Sequence, residues 1–155
     1  MAQLRLKRNI QHSTYDFITA KFDAQWTGIN VVLTWEDAMQ AEKPVVCILL
    51  ESTESKGKEL GSNNLFETHL IILDIYAKSR GQAMDLADYI KNEIKNGYVY
   101  NLYSHPPGSF ESLDATPDGR VKTLKFLRDE SIDFGDNTDE RDKWRHTIAY
   151  TVRVT

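Results

Sequence analysis

The strongest pattern of hydrophobic and polar positions lies in residues 65–97, where an apolar segment leads into an amphipathic one. From residue 65 to residue 78 both alternating sets of positions are largely apolar, which is typical of a strand covered on both faces. Ser79 and Gln82 then form a capping box, whose side chains satisfy backbone N–H groups at a helix start. Asn96-Gly97 can adopt the left-handed backbone conformation that commonly ends a helix. We therefore predict a central strand followed by a helix over about residues 80–96.

The N-terminal part of the chain predicts two helices and two strands. Five apolar residues between Leu6 and Phe22 lie near one face at helical spacing, so an amphipathic helix is expected to end before residue 27. The β-branched run at residues 29–33 predicts a short strand, and Thr34 can cap a brief helix after it. Residues 45–50 predict a second strand.

Residues 51–64, which separate two predicted strands, are polar and charged and include Gly57 and Gly61. Long connections of this kind between short strands are commonly functional. This segment can be a solvated loop, or it can reach another subunit. We interpret it as a long hairpin arm.

The C-terminal part predicts further strands. An extended segment begins at residues 98–100, and a surface loop with a β-turn at residues 116–119 follows it. Residues 121–134 predict one long, bent strand, and residues 144–154 alternate so that one face is apolar. The last two strands, joined by a polar connection, are expected to form an antiparallel hairpin.

These elements predict an α+β fold with a mainly antiparallel sheet, flanked by the N-terminal helix and the central helix. At 155 residues the chain is expected to form one domain over residues 1–155. The net charge of −4 argues against general binding of nucleic acid. The apolar runs are too short to span a bilayer, so we expect neither export nor a membrane anchor. The single cysteine, Cys47, is expected to be a buried, inert side chain.

Candidate chemistry is sparse in this sequence. The four histidines are scattered without the spacing that presents two metal ligands from one helix, and no nucleophile elbow or phosphate-binding loop is present. Asp74 stands in an apolar strand, where it can be a catalytic carboxylate, or a structural residue that lies near the strand edge or pairs with a cation such as Arg153 or Arg145. We favour the structural interpretation, and we predict no enzyme, cofactor or metal site.

Three tyrosines, Tyr98, Tyr100 and Tyr103, follow the central helix. They could stack on nucleic-acid bases, but little basic charge accompanies them in the sequence. We expect them to pack an edge strand instead.

The order of elements, together with three sequence stretches, resembles the tail terminator or tail-completion proteins of long-tailed bacteriophages. The stretches are ELGSNNLFETHLIILDIYAKSRGQAMDLADYIKNEI, VYNLYSHPPGS and the terminal WRHTIAYTVRVT. The resemblance implies a small structural subunit that assembles into a ring, typically a homohexamer, at the head-proximal end of the tail tube. Such rings end tube polymerisation and join the tail to the head connector.

The same resemblance implies a virion protein assembled in the host cytoplasm, with the tail tube protein and the neck proteins as partners. Genomic DNA would pass through the ring without sequence-specific binding. A head-completion protein on the portal side is an alternative, and a small enzyme that uses Asp74 or a histidine is a less favoured one. We predict that the subunit or partner interface includes Glu54, Lys56, Lys58, Glu59, Leu60, Asn63, Asn64, Arg145 and Arg153.

Overall fold

The computed structural model describes residues 5–57, 65–104, 114–132 and 144–155. Within these residues the fold is α+β, as predicted, with one six-stranded sheet in the order β1-β2-β3-β6-β5-β4. Only β1 and β2 pair in parallel, and the other neighbours are antiparallel. The elements are α1 (Leu6–Gln25), β1 (Asn30–Val32), α2 (Trp35–Gln40), β2 (Val45–Gly57), β3 (Leu65–Tyr76), α3 (Arg80–Ile94), β4 (Tyr98–Tyr103), β5 (Ala115–Ile132) and β6 (Arg145–Val154).

The helices α1 and α3 cover one face of the sheet. Ile10, Ile18 and Phe22 of α1 are fully buried against strand residues, and the apolar stripe of α3 joins the same cluster. The predicted capping box of α3 is confirmed: Ser79 Oγ accepts from the N–H of Gln82 at 3.1 Å, and Gln82 Oε1 accepts from the N–H of Lys78 at 2.8 Å. These contacts fix where α3 begins at the end of β3.

The central position of β3 is also confirmed, because it lies between β2 and β6. The prediction that both faces are covered holds in part. The helices α1 and α3 cover one face, whereas on the other face α2 packs only at one end, in a small cluster with Val45, Cys47 and Tyr76. Cys47 is 1% exposed, so its predicted burial is confirmed.

The predicted hairpin arm is partly described. β2 continues as a strand through residues 51–57 and pairs with residues 65–70 of β3, after a bulge between Leu50 and Ser52. The extended β2–β3 ladder therefore forms the predicted two-stranded arm, and the rest of the arm, residues 58–64, lies outside the described residues. Residues 105–113, in the predicted surface loop after β4, and residues 133–143, which include the predicted polar connection between the last two strands, also lie outside them.

The prediction of a β-turn at residues 116–119 is wrong, because this segment belongs to β5. Val99 pairs with Arg120 and Asn101 pairs with Pro117, so two residues of β5 oppose one residue of β4. Gly119, with φ +138°, lies in this bulge. A bulge needs the same backbone freedom as a turn, which is why the Pro-Asp-Gly pattern was misleading. Pro117 is tolerated since it lies beyond the end of β6.

The three tyrosines pack the edge strand β4, as predicted. All three are buried, and Tyr98 forms hydrogen bonds with Thr14 of α1 at 2.7 Å and with Tyr150 of β6 at 3.0 Å. Burial raises the pKa of Tyr98 to about 12, so its hydroxyl group remains neutral and able to form hydrogen bonds. Through these bonds the Tyr98 hydroxyl connects β4 to α1 and to β6.

Candidate interaction surfaces and polar clusters

Two strand edges remain without a described neighbouring strand over much of their length. The short β1 pairs with β2 only through Cys47, and Gln11 Nε2 donates to the carbonyl of Ile48. Beyond this point no described strand pairs with the outer side of β2 at residues 49–57, which we call the β2 edge. At the opposite side of the sheet, β4 pairs with β5 only as far as Val121. Residues 122–132 therefore form a second such segment, the β5 edge.

The two edges differ in charge. The β2 edge carries the exposed acidic residues Glu51 and Glu54 and one lysine, Lys56. The β5 edge carries three exposed basic residues over residues 122–128, followed by the exposed acidic residues Asp129 and Glu130; the basic residues are Lys122, Lys125 and Arg128. An exposed strand edge offers unpaired N–H and C=O groups to another chain. This sheet consequently presents two unlike edges of opposite charge.

The basic residues of the β5 edge are aligned by two bulges. In the chain they are three residues apart, a spacing that would place them alternately on the two faces of a regular strand. The register shifts once between Thr123 and Lys125 and again between Phe126 and Arg128. As a result the three cations stand opposite Arg153, Thr151 and Ala149 of β6, which share one face. This basic surface could not be predicted from the sequence, because residue spacing does not show where a strand has bulges.

Both bulges also place a leucine on the surface. Leu124 and Leu127 have no partner residue in β6, and their exposures are 42% and 50%. On a strand edge without a paired neighbour, these side chains are accessible to another chain. The β5 edge thus combines basic and apolar groups.

The four predicted interface residues that the structure describes are spread over both ends of the sheet. Glu54 lies exposed on the β2 edge, and Lys56 lies on the same strand. Arg153 and Arg145 lie at opposite ends of the interior strand β6, and Arg145 is in register with Tyr76 at the end of the sheet far from the arm. The other five predicted residues, Lys58, Glu59, Leu60, Asn63 and Asn64, lie outside the described residues. An interface role for all nine stays a prediction.

Asp74 forms an ion pair with Arg145, which is one of the two structural alternatives that we favoured from the sequence. Its Oδ2 atom lies 3.0 Å from Arg145 Nη2, and its Oδ1 atom accepts a hydrogen bond from Thr147 Oγ1 at 2.7 Å. Both carboxylate oxygens are therefore engaged with strand β6. Burial, followed by the negative charge of Asp74, raises the pKa of the neighbouring Cys47 thiol to about 11, which keeps the thiol protonated and unreactive.

A second polar cluster, which sequence analysis did not find, joins Ser131, His146 and Asp129. His146 Nε2 lies 2.6 Å from Asp129 Oδ1, Ser131 Oγ lies 3.1 Å from His146 Nδ1, and Lys91 Nζ lies 2.8 Å from Asp129 Oδ2. The hydrogen bond from Lys91 is the main reason that the pKa of Asp129 is lowered. The residue types match a catalytic triad, but the cluster couples β5 to β6 and α3 along the exposed side of a strand. It supports a structural role.

His69 is the buried histidine of the arm. It is 1% exposed, and its Nδ1 atom lies 2.8 Å from Thr53 Oγ1. Burial lowers the pKa of His69, which favours the neutral imidazole. An open groove of about 480 Å³ lies near this pair and is lined by residues 5–8, Thr53, Ser55 and Glu67. It lies at the other end of the sheet from the Ser131 cluster.

Searches for metal sites and membrane segments give no candidates in the described part of the chain. There, no three His, Cys, Asp or Glu side chains are grouped so that they could hold a metal ion. No described helix is both long and apolar enough to cross a membrane.

Comparison with known proteins gives no assignment. No protein-family model matches the chain, and no curated protein matches it either. The function proposed below is therefore inferred from the geometry of the fold and from the sequence resemblance.

Proposed function

We propose that this protein is a structural subunit of a bacteriophage tail, which forms a ring at the head-proximal end of the tail tube. In this role the ring ends tube polymerisation and provides the joint to the head connector. The subunit is proposed to be a virion component, and DNA passes through the ring without sequence-specific binding. The proposed partners are further copies of this chain, the tail tube protein and the neck proteins.

The presence of two unlike edges on one sheet carries this proposal. A closed ring requires a heterologous interface, in which one surface of a subunit contacts a different surface of the next. The acidic β2 edge and the basic β5 edge are two such surfaces, and they lie at opposite sides of the sheet. The order of the elements, with a capped α3 directly after the central strand, adds the resemblance to tail terminator proteins.

The clusters considered for catalysis give less support to an enzyme. Both carboxylate oxygens of Asp74 are bound, one by Arg145 and one by Thr147. The imidazole of His146 is hydrogen-bonded to Ser131 and Asp129, which both lie on the neighbouring strand β5. Each cluster is explained by the pairing of adjacent strands. We therefore propose a structural role in preference to a catalytic one.

The test is to measure the oligomeric state of the purified chain and its binding to tail tubes. We expect a ring, by mass photometry and negative-stain electron microscopy, either in solution or at one end of purified tubes. Tubes assembled with the protein present should have a limited length. A chain that remains monomeric and neither binds nor shortens tubes would contradict the proposal.

A head-completion protein on the portal side would also form a ring, so the position in the particle must be measured separately. Immunogold labelling of intact particles and of isolated tails should place the proposed protein at the tail end of the neck and on tails that lack heads. Label found only on tail-less heads would favour the head-completion role instead.

A further inference from the structure

We infer that the ring joint is formed by antiparallel pairing of the β2 edge of one copy with the β5 edge of the next copy. The sheets of successive subunits would then be continuous around the ring. This inference rests on the proposed ring-forming function, and it identifies the surfaces and the orientation of the contact.

Strand direction favours this pairing. Each neighbour from β2 through β3 and β6 to β5 is antiparallel, so β2 and β5 run in opposite directions. When the next copy is placed beside β5 by a rotation that keeps the same face of the sheet outward, its β2 meets β5 in the antiparallel sense. The alternating hydrogen bonds of an antiparallel ladder can therefore form without turning a subunit over.

The two edges also lie at the same height on the sheet where residues 49–53 of β2 are in register with residues 123–128 of β5. Ser52 pairs with Leu70, Leu70 with Thr151, and Thr151 with Lys125, so a single row of paired residues connects the two edges. A second row connects Leu49 with Arg128 through Ile72 and Ala149. Rotation without a vertical offset therefore brings Ser52 of one copy opposite Lys125 of the next.

Charge favours this register. With Ser52 opposite Lys125, the acidic residues Glu51 and Glu54 of one copy lie beside Lys125 and its basic neighbours on the next copy. Opposite charges on adjacent strands stabilise a pair, and like charges directly opposite each other destabilise it. Glu130 falls in the row of Cys47, where β1 already occupies the outer side of β2, and β4 occupies the outer side of β5 from Val121. The joint is therefore confined to the rows between these two covered ends, and Glu130 lies outside it.

Charge also disfavours two-fold pairing of identical edges. Two-fold pairing of the basic segment, residues 122–128, would bring basic residues against basic residues. Two-fold pairing of β2 edges about an axis between Ser52 and Thr53 would bring Glu51 against Glu54. A heterologous contact between unlike edges continues around a ring, whereas a two-fold contact ends in a dimer. The partner of each edge is therefore the other edge of a second copy.

Disulfide cross-linking tests this pairing directly. Residues opposite each other in an antiparallel ladder have Cα atoms about 4.5–5.5 Å apart, which a disulfide can span. We expect the Ser52→Cys, Lys125→Cys double variant, after mild oxidation, to give a ladder of covalent oligomers up to the ring size on a non-reducing gel. Cys47 is buried and can remain in place. The matched controls are the two single variants, which should stay uncrosslinked.

Charge reversal provides a second, independent measurement. We expect Lys125→Glu to weaken assembly about tenfold, since a carboxylate then lies beside Glu54 across the joint. Adding Glu54→Lys should restore most of the loss. The control is Lys78→Glu, which makes the same change of charge at an exposed position between β3 and α3, outside both edges.

The outcomes separate this inference from the proposed function. Rings that form without the cross-linked ladder, or rings unaffected by Lys125→Glu, would overturn the edge pairing and leave the ring function in place. Dimers formed by either single-cysteine variant would show two-fold pairing and would also overturn it. Absence of any ring, free or on tail tubes, would overturn both.

Discussion

Asp74 lies in the middle of the sheet with a side-chain exposure of 6%, and its carboxylate is held by Arg145 and Thr147 of the next strand. The sequence placed the acid in an apolar strand and named Arg145 as one possible partner. It could not choose between Arg145 and Arg153, because that choice depends on the register of β3 against β6. The buried charge of Asp74 is thus stabilised by one particular residue, Arg145, on the neighbouring strand.

Replacement of Arg145 tests the importance of this ion pair. We expect Arg145→Met to lower the free energy of unfolding by about 1–3 kcal/mol, because Asp74 loses its cationic partner while remaining buried. Urea denaturation followed by circular dichroism measures the change. Asp74→Asn in the same chain should recover part of the loss, since the unpaired charge is removed. Equal losses in the single and double variants would contradict the coupling.

His69 gives a prediction for the pH dependence of stability. Burial lowers its pKa below the ordinary value of 6.5, so the unfolded chain binds a proton at a pH where the folded chain does not. The free energy of unfolding should therefore fall as the pH falls from about 7 to about 5. The lowered pKa of Asp129 affects the free energy of unfolding mainly below pH 3.8, its ordinary pKa, and therefore outside this pH range.

The measurement is urea denaturation at several pH values for the wild type and for His69→Gln. We expect a smaller pH slope in the variant, because glutamine does not titrate. The comparison isolates His69 from the other histidines, which are present in both proteins. Identical slopes would show that burial of His69 does not contribute to the pH dependence.

At the scale of elements, the ends of α3 are fixed by two different devices. The capping box positions its first turn, and Gly97 ends the helix in a left-handed conformation with φ +75°. A Cβ atom at this position would lie 2.5 Å from the carbonyl oxygen of Val121. The turn from α3 into β4 therefore depends on glycine for both its conformation and its contact with β5.

Gly81, in the first turn of α3, provides a matched control for Gly97, which follows the end of the same helix. We expect Gly97→Ala to lower the free energy of unfolding by about 2–4 kcal/mol, through backbone strain and the contact with Val121. Gly81→Ala should be neutral or stabilising by up to about 1 kcal/mol, because nothing lies within 4 Å of its added Cβ atom. Thermal denaturation of both variants tests this contrast. A similar effect of the two substitutions would be inconsistent with it.

At the scale of the whole molecule, the sheet has an open segment on β2 and another on β5, and the proposed ring joins these two edges. Exposed ion pairs weaken as salt increases, because the screening length falls to about 3 Å at 1 M ionic strength. We therefore expect the proportion of assembled rings to decrease between about 0.1 M and 1 M salt, as measured by mass photometry. Rings that are equally stable or more stable in high salt would show that Leu124 and Leu127, rather than the charges, dominate the joint.

The sequence by itself determined the elements whose signals are local. Apolar periodicity depends on neighbouring residues, so it predicted α1, the central β3 and the capped α3 correctly. It also indicated the fold class and the long β5–β6 hairpin. The Pro-Asp-Gly pattern in β5 misled it, since a bulge and a turn require the same backbone freedom.

Tertiary structure alone decided how distant residues come together. The register of β6 against β3 selected Arg145 as the partner of Asp74, and two bulges in β5 aligned its basic residues on one face. Strand order left the acidic and basic edges at opposite sides of the sheet. These features depend on pairing between residues far apart in the chain, and a pattern of hydrophobic and polar positions contains no information on register between separate strands.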